Sequence, residues 1–164
     1  MIQKLKYVNY GIVLEEVPDE ISLAVNVSGC LYRCEGCHSA YLWDYIGNYL
    51  EDDIEKLIDK YKDYITCVCL MGGDHNIIEL YKVCKLIKNK YGLKVCIYSG
   101  HDTGDIFSTF IADGILDYLK IGPYISKLGG LNSPITNQRM FKIENGIMKD
   151  ITKKFQHTPL TNNQ

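Results

Sequence analysis

The sequence predicts an α/β fold, a partial (β/α) barrel with a mostly parallel sheet and flanking helices. Three observations carry this expectation. Short apolar runs of strand length alternate with stretches of helical periodicity, giving four β-then-α units in order, and such units build parallel sheets with right-handed crossovers. The runs end in turns rich in glycine and polar residues, as at Ser28-Gly29, Gly72-Gly73 and Ser99-Gly100, at the strand ends where parallel α/β folds hold ligands. The chain has 164 residues, whereas a full eight-stranded barrel takes about 250, so only part of a barrel can form.

Residues 5–15 place β-branched and aromatic side chains around Asn9-Tyr10-Gly11, ahead of the turn-like Val17-Pro18-Asp19-Glu20. They read as an N-terminal strand or hairpin. Residues 21–27 form a nearly continuous apolar run, which suits a strand buried on both faces. Over residues 52–64, Ile54, Leu57, Ile58 and Tyr61 fall at i, i+3, i+4 and i+7 behind an acidic first turn, predicting an amphipathic helix. A second buried strand over 65–70 runs into Met71-Gly72-Gly73-Asp74-His75-Asn76. Leu80, Val83, Cys84, Ile87 and Tyr91 then keep helical spacing, with Asn76 and Glu79 in capping-box relation and Gly92 as the stop. Residues 94–98 predict a third strand, 103–113 a third helix and 117–121 a fourth strand, which ends in Gly122-Pro123-Tyr124. A polar loop follows over 126–137, then a hairpin over 140–151 turning near Asn145-Gly146. Residues 1–157 are expected to form a single domain and residues 158–164 a flexible tail.

Composition narrows the function classes. Apolar residues make up 46% and charged residues 23% of the chain, ordinary values for a globular protein with its own core. Lys plus Arg at 18 against Asp plus Glu at 20 leaves a net charge of −2, which gives no reason to invoke nucleic acid or a membrane surface. Seven cysteines, an odd number, with no apolar leader or spanning run are consistent with a reducing cytoplasm.

Three of those cysteines, Cys30, Cys34 and Cys37, fall within eight residues as C-x3-C-x2-C. Thiolates are strong soft ligands, and this density points to metal. The spacing is neither that of paired zinc knuckles nor that of the bacterial ferredoxin run. Three ligands are one short of a closed site, so a cubane cluster held here keeps one iron free for a substrate or cofactor. A Cys3His zinc-binding interaction module using His38 is the alternative of another class. Cys67, Cys69, Cys84 and Cys96 are expected in the core.

The cysteine spacing after an apolar strand resembles the signature of radical S-adenosylmethionine (radical SAM) enzymes. The segment from Ser28-Gly29-Cys30 through Cys34-Glu35-Gly36-Cys37-His38 to Trp43 is similar, more narrowly, to the activating proteins of anaerobic, class III ribonucleoside-triphosphate reductase. Met71-Gly72-Gly73-Asp74 matches that family's Gly-Gly-acid motif, with His75 in place of the usual proline. Tyr98-Ser99-Gly100 resembles its aromatic-Thr-Gly, and Thr136-Asn137-Gln138-Arg139 its Ser-Asn-Gln segment; Ile121 stands where better-known activators carry aspartate.

The resemblance implies a partial barrel of radical SAM type and two cofactors, a [4Fe-4S] cluster on Cys30, Cys34 and Cys37 and S-adenosylmethionine. Gly36, Gly72, Gly73, Asp74 and Ser99 are the implied cofactor contacts. It implies one-electron reduction from a flavodoxin- or ferredoxin-type donor, cleavage to a 5′-deoxyadenosyl radical, and abstraction of a glycine hydrogen from the reductase. A small molecule or a different glycyl radical enzyme is the alternative substrate. Only about a quarter of the chain follows Lys120, which leaves little to enclose a free metabolite and favours a loop of another protein. Trp43 is read as apolar cover and Tyr32 as an ordinary core residue. His75 and His101 follow turns placed to line a ligand, where a solvated histidine is the commoner outcome.

Overall fold

The computed structural model describes residues 3–157; the tail expected over 158–164 lies outside them. Among the described residues there are eight strands: β1 (Lys6–Val13), β2 (Ser22–Val27), β3 (Asn48–Tyr49), β4 (Cys67–Met71), β5 (Lys94–Tyr98), β6 (Tyr118–Ile121), β7 (Arg139–Glu144) and β8 (Ile147–Asp150). They make one sheet in the order β3-β1-β2-β4-β5-β6-β7-β8. The helices are α1 (Leu50–Tyr61), α2 (Ile77–Leu86) and α3 (Ser108–Ala112), none long and apolar enough to cross a membrane.

The sheet overturns the expected partial (β/α) barrel. Only β2–β4, β4–β5 and β5–β6 pair in parallel, whereas β1–β2, β1–β3, β6–β7 and β7–β8 are antiparallel. The sheet is mixed and open, with β3 and β8 at its edges, and three helices are too few to flank it. Parallel neighbours need a crossover that carries the chain back to the starting end, and helical crossovers lie only between β2, β4, β5 and β6. Elsewhere the chain turns back on itself. Asn145 and Gly146 both take positive φ, 52° and 75°, the conformation of a two-residue hairpin turn, so β8 must lie antiparallel to β7. The N-terminal strand and this hairpin were both expected from sequence; their pairing onto the two sides of the parallel core was not.

Local rules account for the helices. The first turn of α1 carries Glu51, Asp52 and Asp53, favourable at a helix N-terminus, and Leu50, Ile54, Leu57 and Ile58 are its buried stripe. The Asn76 side chain accepts the Glu79 N–H at 3.3 Å, capping α2. The Glu79 carboxylate pairs with Lys82 at 2.9 Å, so the capping box is half formed. After α2 a π-helical turn, Ile87–Tyr91, ends at Gly92 in the left-handed conformation, as expected for a glycine stop. The helix expected over 103–113 is only a 3-10 turn, Asp105–Phe107, followed by the five residues of α3.

Strand alternation divides the sheet into two unlike faces. Leu23, Val25, Val68, Leu70, Val95 and Ile97 join the buried side chains of all three helices in one core. The opposite face carries Cys67, Cys69, Cys96, Tyr118 and Met140, covered by Val17 and Ile151 from outside the helices. Across the parallel strands the register aligns this second face in rows. One row is Ala24, Cys69, Cys96 and Tyr118; the next, toward the C-terminal ends, is Asn26, Met71, Tyr98 and Lys120.

At the other end of this face Glu20 is buried. It accepts hydrogen bonds from the Thr66 hydroxyl at 2.7 Å and the Tyr118 hydroxyl at 3.2 Å, and pairs with Lys94. It thereby ties the turn before β2 to β5 and β6. Glu20→Ala leaves the buried Tyr118 hydroxyl without its acceptor, and is expected to lower unfolding stability by about 3 kcal/mol, read as a reduced midpoint in urea at unchanged slope.

Candidate metal centre

The C-terminal ends of the parallel strands surround a cavity of about 180 Å³. It is lined by the row Asn26, Met71, Tyr98 and Lys120, by Cys30, Cys34 and Cys37 of the cysteine loop, and by Gly72, Asp74 and Ser99 from the turns after β4 and β5. Three turns that are far apart in sequence meet here because their strands are neighbours in register. Gly36 and Gly73 are not in the lining. Gly36, at φ 75°, lies beside Tyr124 and Ser126. Gly73, at φ 101°, faces inward, where an added Cβ would stand 3.1 Å from Leu80 Cδ1.

The cysteine loop is fixed at its root. Ser28, fully buried, donates its hydroxyl to the Ile46 carbonyl at 2.6 Å and accepts the Ile46 N–H at 3.2 Å. The amides of Gly29 and Cys30 both donate to the Leu42 carbonyl. Inside the loop the Cys37 amide donates to the Cys34 carbonyl at 3.1 Å, and the Ser39 amide donates to Cys37 Sγ at 3.4 Å. All three cysteines are free and partly exposed. Burial pushes the Cys30 thiol up, opposed by the nearby amides of Tyr32 and Arg33.

Tyr32 is not the core residue expected. It is 37% exposed, and its hydroxyl donates to Asp74 Oδ2 at 3.0 Å. Its ring lies so close over Gly100 that an added Cβ would stand 2.8 Å away. Ser99, which is buried, donates its hydroxyl to the same carboxylate oxygen and accepts the His101 amide at 3.0 Å. Asp74 therefore joins the cysteine loop to the end of β5. Burial first, and then the Asp74 charge, raise the Tyr32 phenol, so it remains a donor.

Asn26 lines the cavity without any sequence motif having pointed to it, and Met71 and Lys120, quoted only as flanks of motifs, line it too. For Lys120 a signal was present: a lysine within Tyr-Leu-Lys-Ile, a strand of apolar neighbours, must bury its stem and find acceptors for its head. Its ammonium donates to the carbonyls of Ser99 at 3.3 Å and Gly122 at 2.8 Å. Burial lowers its pKa to about 8, against the pull of Cys34, Asp74, Cys30 and Cys37.

The remaining expected residues are placed as follows. Trp43 lines the cavity, and its buried Nε1 has no acceptor. His38 stacks near Tyr124, with ring centroids 5.9 Å apart, and is not in the lining. His75 packs against Gly29 with both ring nitrogens buried and unpaired; burial lowers its pKa. Cys67, Cys69, Cys84 and Cys96 are fully buried, as expected.

Among the described residues no three metal-ligating groups converge on a single-ion centre. One zinc ion draws its sulfurs to within about 4 Å of one another at Zn–S distances of about 2.3 Å. A cubane instead takes each thiolate at a different iron corner, so its ligands stand farther apart. Cys30, Cys34 and Cys37 all line the cavity, and three thiolates are ligands of the type an iron–sulfur cluster takes, one short of a full set for four irons. A family model described as "4Fe-4S single cluster domain" matches residues 21–128, which include every lining residue of the cavity. No curated protein and no solved structure matches the chain.

Gly73→Ala is expected to destabilise the fold by about 1–2 kcal/mol, the cost of holding a side chain in a left-handed conformation, because its φ is 101° and Leu80 blocks the Cβ. Denaturant unfolding measures the loss.

Proposed function

The chain belongs to the 4Fe-4S single cluster domain family, and from that premise we propose that it is a radical SAM activating enzyme. In this reading Cys30, Cys34 and Cys37 would hold the [4Fe-4S] cluster, and S-adenosylmethionine would meet it at the cavity mouth, with most of its bulk outside the enclosed space of about 180 Å³. The observation that carries it is the meeting, in one cavity, of the three thiols with Gly72, Asp74 and Ser99 from the ends of β4 and β5.

A cluster bound there would supply one-electron chemistry, with electrons from a flavodoxin- or ferredoxin-type donor, for cleavage of the sulfonium to methionine and a 5′-deoxyadenosyl radical. The protein's own part is to bind, orient and exclude water. Gly72 brings backbone close to the ligand; its φ is 111°, and an added Cβ would stand 3.1 Å from the Val27 carbonyl oxygen. Asp74, fixed by Tyr32 and Ser99, presents a carboxylate to the ammonium of the methionine moiety. Trp43, Leu42 and Val27 supply apolar cover. The substrate in this reading is a glycine-bearing loop of anaerobic ribonucleoside-triphosphate reductase, on which the enzyme installs a glycyl radical.

Anaerobic reconstitution with iron and sulfide tests the cluster. The expected product is a brown protein with four irons that cleaves S-adenosylmethionine under dithionite; a colourless protein that takes up only zinc would overturn the reading. Electron paramagnetic resonance after mixing with the cognate reductase tests the partner. A glycyl radical signal is expected, and cofactor cleavage without that signal assigns the chemistry to another substrate.

Serine replacement of Cys30, Cys34 or Cys37 is expected to abolish the four-iron cluster. Cys67→Ser and Cys96→Ser are expected to retain it. Iron and sulfide analysis of the reconstituted variants distinguishes the two groups.

A further inference from the structure

Lys120 brings a buried charge to the cavity. In β6 it alternates with Leu119 and Ile121, which face the helical core, and the register sets it beside Tyr98 in the row beneath the cysteines. Only 9% of the residue is exposed. Its ammonium meets two neutral carbonyl oxygens, with the Tyr98 ring centroid 5.9 Å away. Among the described residues no carboxylate forms an ion pair with it. Asp74 is the one carboxylate in the lining, and the same oxygen of that group already accepts from both Tyr32 and Ser99. A buried charge compensated only by dipoles is expensive, and this one faces a cavity walled by three thiols.

A four-iron cluster on three thiolates is an anion, because the thiolates carry more negative charge than the core carries positive, and reduction enlarges the imbalance. We propose that the Lys120 ammonium is the counter-cation of a cluster held by Cys30, Cys34 and Cys37, and that it raises the cluster's reduction potential by stabilising the reduced state more than the oxidised one. This rests on the cluster assignment of the preceding section. The physical basis is the weak screening of charges in a protein interior, together with the dependence of cluster potentials on net charge and surroundings. Two other roles for Lys120 make different predictions. A brace between the Ser99 and Gly122 carbonyls acts on stability and leaves the potential alone. A contact to a carboxylate of a second ligand changes that ligand's affinity without moving the potential of the ligand-free protein.

The test compares the reconstituted wild-type protein with Lys120→Met, which keeps the length and apolar stem, and Lys120→Arg, which keeps the charge. Each is assayed for iron and then titrated anaerobically by electron paramagnetic resonance with no S-adenosylmethionine present. All three are expected to carry four irons. Lys120→Met is expected to reduce at a more negative potential, by a tenfold change in the reduction equilibrium or about 59 mV for one electron, and Lys120→Arg to stay near wild type. Lys120→Met titrating at the wild-type potential overturns the proposal, as does Lys120→Arg falling as far as Lys120→Met. Should Lys120→Met fail to load iron, Lys120→Gln, which keeps a donor toward the carbonyls, is titrated to the same criterion. A wild-type protein that binds no four-iron cluster refutes the underlying assignment, an outcome distinct from an unmoved potential.

Discussion

The candidate centre depends on the register of four parallel strands. Pairing Asn26 with Met71, Met71 with Tyr98 and Tyr98 with Lys120 sets four strand ends level, so the turns beyond them open into one cavity. Because side chains alternate with a period of two, a slip of one residue in β4 would send Met71 and Cys69 into the helical core and turn Val68 and Leu70 toward the cavity face. The apolar run of each strand prevents that slip: Val68, Leu70, Val95 and Ile97 are fully buried against α1 and α2. The packing of one face thus fixes the chemistry of the other.

Tension between local and distant information explains which parts of this structure were legible in the sequence. The strand at 94–98 and the capped helix after Asn76 were readable because their causes are local, apolar runs in one case and a side-chain cap in the other. The hairpin at Asn145-Gly146 was readable for the same reason. What no local pattern encodes is that β7 sets Phe141 opposite Leu119 and that β1 sets Tyr10 opposite Val25. These pairings turn a run of β-then-α units into a mixed, open sheet. The site divided along the same line: the thiols and the Gly-Gly turn announced themselves by composition. Tyr32 did not, since its contacts to Asp74 and Gly100 exist only once three separate turns have met.

Asp74 accounts for much of the order in those turns. Two hydroxyls converge on its carboxylate, one from the cysteine loop and one from the end of β5, and hydrogen bonds to a charged acceptor are among the stronger ones. The loop is therefore tied to the protein by hydrogen bonds of its own. Its root is held by Ser28 and Leu42, its middle by Tyr32, and the span from Cys34 to Cys37 by the Cys37 amide on the Cys34 carbonyl. His75, where the resembling family has proline, packs under Gly29 and supports the same root from below.

The four cysteines outside the loop bear on how the protein is assembled. An extended chain offers seven equivalent thiols to any thiophilic ion. In the folded chain Cys67, Cys69, Cys84 and Cys96 have no accessible surface, and burial drives the thiols of Cys67, Cys84 and Cys96 far from the thiolate form that binds metal. Folding removes four competitors and leaves the three thiols at the cavity. In the proposed reading the sheet itself acts as a filter, since burial decides which sulfurs an iron source can reach once the chain has folded.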